Sequence, residues 1–122
     1  MLGAMWIRVA AAFGAVAVAL GAFGAHGLRG RIAPEQLASW QTAVHYQLLH
    51  AIALLALGLW SDATGRPLGA TPWLFAIGML CFSGSIYGLV LGSWRWLGPV
   101  TPLGGVALIA GWVALFLLAR PQ

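Results

Sequence analysis

Side chains able to do chemistry are concentrated in one stretch of this 122-residue chain: Gln41, Thr42, His45, Tyr46, Gln47 and His50. Imidazoles, amides, a hydroxyl and a phenol can exchange hydrogen bonds, hold a metal or relay a proton. A metal held from a single helix wants two histidines four residues apart on one face, as in the zincin motif. Here the histidines are five apart. On a helical wheel Gln41 and His45 share one face, while Thr42, Tyr46 and His50 lie along another. A metal or haem site would therefore need ligands from elsewhere, and neither a cysteine nor a buried carboxylate accompanies these histidines. No metal and no cofactor is expected.

Nucleophilic catalysis is not indicated either. Ser83 and Ser85 have no histidine beside them in sequence, and the two acidic residues, Glu35 and Asp62, fall between apolar runs. An acyl-transfer site needs nucleophile, base and orienting acid in mutual reach. The chain is expected not to be an enzyme. A different chemistry suits the same residues: hydrogen bonds from the histidine and glutamine stretch to Ser83, Ser85, Tyr87 and Thr101, tying helices together in register.

The surroundings of these residues are apolar. Hydrophobic residues make up 61% of the chain and charged ones 7%, against roughly 25% charged in an ordinary soluble domain. Mean hydropathy is +0.92. Seventeen glycines fit helices that pack through small residues in lipid, where each segment must satisfy its own backbone. The six basic residues are all arginine and are scattered among the apolar runs, a pattern that anchors helix ends and excludes a nucleic-acid surface.

Four apolar runs predict an all-α, integral membrane four-helix bundle in one domain, with helices near residues 5–26, 40–60, 72–92 and 102–119. The first run carries Arg8 ahead of it and small residues at its end, as a secretory signal would. Three further spans argue that it is retained. The second is bounded by Trp40 and Trp60, which suit the two interfacial belts. A short interfacial helix is expected after Pro34, between the first two spans. The third run holds Gly84 and Gly88 in GxxxG spacing, which predicts contact with a neighbouring helix. Ser61 to Thr71 reads as a plain surface turn, and the aromatic loop before the fourth run as short and stiff. Cys81, the single cysteine, sits in an apolar run and reads as core filler.

At ~1.5 Å per residue, His50 lies ~15 Å beyond Trp40 and hence near the bilayer midplane. An imidazole at that depth should face the bundle interior and find a partner. Four spans put His26, the start of the second helix, the end of the third and Thr101 in one half of the bilayer. His26 could approach His45 there. Orientation stays open, because Arg8, Arg66 and Arg120 on one side balance Arg29, Arg31 and Arg95 on the other. No internal repeat suggests an inverted-repeat transporter.

Four segments carry a family resemblance: GAFGAHGL from Gly21 to Leu28, WQTAVHYQ from Trp40 to Gln47 with His50 and Ala51, FSGSIY from Phe82 to Tyr87, and TPLGG from Thr101 to Gly105. Together, in this order and over nearly the whole chain, they resemble the small membrane proteins of domain-of-unknown-function family 423, which includes the transmembrane protein 256 group. The resemblance implies a multi-pass protein of the bacterial inner (plasma) membrane, with eukaryotic relatives and no assigned activity or site. The expected function is a non-enzymatic binding or accessory component of the membrane. Its partners would be membrane lipids and a second copy or a larger membrane complex. Two alternatives stand beside it: an oligomeric permeation unit for a small solute or ion, with water passing His45 and His50, and a haem- or metal-binding redox protein.

Overall fold

The computed structural model describes residues 2–121. Its four helices are α1 (Leu2–Phe23), α2 (Pro34–Thr64), α3 (Thr71–Gly92) and α4 (Val100–Leu118), with no strand among the described residues. Each is long and apolar enough to cross a membrane. α1 runs into one π-helical turn, Gly24–Leu28, and a 3₁₀ turn, Arg95–Leu97, precedes α4.

No separate interfacial helix follows Pro34. The residues expected to form one are the first turns of α2, which continues unbroken for 31 residues. Ala33 is extended at ψ 148°, as a residue before proline tends to be, and Pro34 supplies a helical φ at a position that needs no donor. Gln36 Oε1 accepts from the Ala33 N–H at 3.1 Å and closes that end. Nothing between Pro34 and the membrane span breaks the helix, so it does not stop. At its far end Gly65 takes a left-handed φ of 71° and donates to the Ser61 carbonyl at 2.8 Å, a common glycine terminator.

α1 packs along α2, α3 along α4, and the two hairpins join through α2 and α3. Among the described residues α1 and α4 share no extended packing surface. The central pair therefore buries more than twice the share of its apolar window that α1 and α4 bury. On α2 the buried stripe is Trp40, Ala43, Gln47, His50, Leu54, Leu57 and Ser61, an alternating three–four spacing that keeps one seam against its neighbours.

Close approach between helices occurs at glycines other than the expected pair. A Cβ at Gly84 would meet nothing within 4 Å, and one at Gly88 would strike only the side chains of Leu97 and Trp94. Among the described residues the GxxxG pair thus serves no helix–helix contact; Gly88 instead lets the loop before α4 fold back onto α3. The α3–α4 approach runs through Gly104, which lies on the backbone of Cys81 and Phe82, through Gly78 against Leu108, and through Gly111 under the Phe75 ring. Between α1 and α2, Gly3 and Gly58 meet backbone to backbone. Cys81 is half-buried and free.

Trp40 is not a belt residue presenting its ring to headgroups. It is fully buried, its indole lies on Gly24, and its N–H donates to the Leu20 carbonyl at 2.8 Å. Trp6 is likewise buried and meets Trp73 edge-on at 4.9 Å.

Candidate functional site

Six residues of the expected polar cluster, Gln47, His50, Ser83, Ser85, Tyr87 and Thr101, make hydrogen bonds within the bundle, and the stripe on α2 decides which of its own take part. Gln47 and His50 lie on the buried seam; Gln41, Thr42 and His45 fall off it and are exposed. His26, in the π-helical turn, is exposed as well. No hydrogen bond among the described residues joins His26 to His45, or either to the cluster, and no three His, Cys, Asp or Glu side chains converge there.

Gln47 links three helices. Its Nε2 donates to the Phe13 carbonyl of α1 at 2.8 Å, and its Oε1 accepts from the Tyr87 hydroxyl of α3 at 2.7 Å. The Tyr87 ring packs against Trp40 at 4.7 Å. Ser83, almost wholly buried, donates to the Ala43 carbonyl at 2.6 Å. Helical side chains slant toward the N-terminus of their own helix, so in antiparallel α2 and α3 Gln47 and Tyr87 lean toward each other across this contact.

His50 joins α2 to α4. Its Nδ1 lies 2.7 Å from the Tyr46 carbonyl, which can only accept, and the Trp112 indole N–H, which can only donate, points at Nε2 at 3.0 Å. The two bonds together require the neutral tautomer protonated on Nδ1. Both ring nitrogens are committed, leaving no lone pair directed at a metal or a serine. Phe75 of α3 completes the group, 5.7 Å from His50 and 5.0 Å edge-on from Trp112. Tyr46 is partly exposed, stacked on Phe82 at 4.8 Å.

Ser85 and Thr101 tie α3 to the start of α4. The Ser85 hydroxyl donates to the Phe82 carbonyl at 2.9 Å. A hydroxyl carries one proton, so Thr101 is the donor in the 2.5 Å contact between them. Every buried side-chain nitrogen and oxygen among the described residues has a hydrogen-bond partner.

One residue that ties the bundle together lies in the loop that the sequence presents as a plain turn. The Arg66 guanidinium donates to the carbonyls of Leu118 at 3.0 Å and Arg120 at 3.4 Å, and its carbon stands 4.9 Å over the Trp60 ring. It thereby caps the C-terminus of α4, where carbonyls lack helical partners and the helix dipole favours a cation. Ser61 steadies it by donating to the Arg66 carbonyl at 2.9 Å. A lone arginine two residues before a leucine gave no periodic signal, because its partners are 52 and 54 residues away.

The family described as "Protein of unknown function (DUF423)" matches residues 20–105. A UPF0382 membrane protein of Staphylococcus aureus is 45% identical over 102 residues, covering 84% of each chain. One of Staphylococcus haemolyticus is 41% identical, again over 84% of each, and one of Staphylococcus epidermidis 44% identical over 82% of each. No solved structure matches the fold. The matched segment contains the α2 seam with Gln47 and His50, together with Ser83, Ser85, Tyr87 and Thr101, and on this match the chain belongs to the DUF423 family of membrane proteins.

Proposed function

We propose that this protein is a non-enzymatic component of the bacterial inner membrane that works by binding, to lipid, to a second copy or to a larger membrane complex, and that its polar cluster holds the bundle in register. The observation that carries this reading is the closure of the cluster. Gln47, His50, Ser83, Ser85 and Tyr87 spend their hydrogen bonds on carbonyls and side chains of the same chain, so none is poised toward a reacting molecule. A general base must reach the proton it takes, and the Nε2 of His50 faces Trp112 instead. The permeation reading needs His45 and His50 on one water path, but one is exposed and the other buried. A redox centre needs converging ligands, and the histidines do not converge.

The test is purification in mild detergent with native mass spectrometry, an absorption spectrum and metal analysis on one sample. A colourless, metal-free protein carrying lipid or a protein partner is the expected result. Stoichiometric haem or metal would overturn the reading in favour of redox chemistry. A His50→Phe variant that stays folded in liposomes yet loses a solute flux of the wild type would overturn it in favour of permeation.

A further inference from the structure

The length of α2 makes a feature at the membrane surface that the cluster does not use. Its 31 residues span ~46 Å at the helical rise, against a hydrocarbon core of ~30 Å. α3 and α4, with 22 and 19 residues, have no such excess. The contacts of Ser83 with Ala43 and of Phe75 with His50 set the register of α2 against α3, so that the first turns of α2 lie level with the last turns of α3 and the start of α4, where charged Glu35 belongs in the headgroup layer. Between these three elements lies an open cavity of about 570 Å³. Its α2 wall is polar, with Glu35, Gln36 and Ser39, and its α3 wall is apolar, with Ile86, Leu89 and Val90.

The two walls fit the two parts of an amphiphile, and their charge selects its head. Ser39 donates to the Glu35 carbonyl and Gln36 accepts from Ala33, so both are turned to the helix itself. The Glu35 carboxylate has no ion-pair partner among the described residues. A helix N-terminus favours an anion, and Glu35 already supplies one, so an anionic headgroup here would meet a second negative charge. An ammonium would meet its complement and could donate to the carboxylate. Arg29 and Arg31, between α1 and α2, and Arg95, between α3 and α4, lie at the same end of the bundle, and such cations suit the phosphate of a zwitterionic lipid.

We propose that this notch is a binding site for a bilayer phospholipid whose headgroup ends in a primary ammonium, with Glu35 accepting from the ammonium and Ile86, Leu89 and Val90 receiving the upper acyl chain. The site gives the binding role above a ligand class and rests on that reading only in taking the chain as a membrane component that binds lipid.

Purified full-length protein would be exposed to an equimolar mixture of phosphatidylethanolamine, phosphatidylcholine and phosphatidylglycerol, and the lipids retained measured by native mass spectrometry. Several-fold enrichment of phosphatidylethanolamine is expected. Glu35→Gln should abolish the enrichment, and Leu89→Trp, which fills the notch, should lower the retention of all three lipids. Free phosphoethanolamine should not displace the bound lipid, because it lacks the chains; displacement would overturn the lipid assignment in favour of a soluble amine. Equal retention of the three lipids, preference for phosphatidylglycerol or phosphatidylcholine, or enrichment that survives Glu35→Gln would overturn the site. Those failures would leave the register role of the cluster intact, since its test is the folded yield and partners of His50 variants.

Discussion

The indole N–H of Trp112 on α4 donates to Nε2 of His50 on α2 at 3.0 Å, and it does so past Phe75 of the intervening helix. It is the polar link between two helices that otherwise share little surface. Trp112→Phe keeps most of the ring and removes the donor, leaving a buried acceptor unpaired at a cost of ~1–3 kcal/mol, against ~0.6 kcal/mol for an average interhelical bond in a membrane. The expected result is a lower unfolding midpoint in detergent. A double-mutant cycle with His50→Phe should show a coupling well above zero; additive effects would mean that the bond carries no weight.

Gln47 should be the least replaceable side chain of the cluster, since its amide serves α1 and α3 together. Gln47→Leu is close in shape but strands the Tyr87 hydroxyl, while Gln47→Glu keeps the acceptor and loses the donor to Phe13. Both should lower folded yield, and Tyr87→Phe combined with Gln47→Leu should recover part of it, because removing both partners costs less than removing one. Folded yield is read by gel filtration. No recovery in the pair would argue against the link.

His26 and His45 supply the contrast. Both are exposed and bonded to nothing in the cluster, so alanine at either should change the unfolding free energy by no more than about 0.5 kcal/mol, the range of ordinary surface changes. A loss as large as that of Trp112→Phe would show that the pair does join the bundle.

The four spans were legible because a run of some 20 apolar residues has few other physical meanings. Which polar residues would meet was only half legible. The seam from Trp40 through Ala43, Gln47 and His50 to Leu54 is present as alternating three–four spacing, but grouping Thr42, Tyr46 and His50 by four-residue steps follows a different stripe, and the real seam places Gln47 beside His50. The place of Trp40 at the edge of an apolar run suggests an interfacial belt, whereas its burial depends on Gly24, a contact between α1 and α2. Arg66 was illegible for the same reason: the carbonyls it caps belong to the far end of the chain.

Glycine roles give the sharpest separation of spacing from structure. Gly84 belongs to the GxxxG pair, yet a Cβ there meets nothing, whereas Gly104, outside it, lies on the α3 backbone. Gly104→Ala must push α4 from α3, and overpacking of this kind costs ~1–3 kcal/mol. Gly84→Ala should be neutral or stabilising, by up to ~1 kcal/mol from helix propensity, as long as the protein is monomeric. Unfolding midpoints of the two variants in the same detergent check the ordering. If Gly84→Ala proves the more harmful in a native-like bilayer but not in detergent, the open face of α3 at Gly84 packs against another helix in the membrane, and the size of that difference measures the contact.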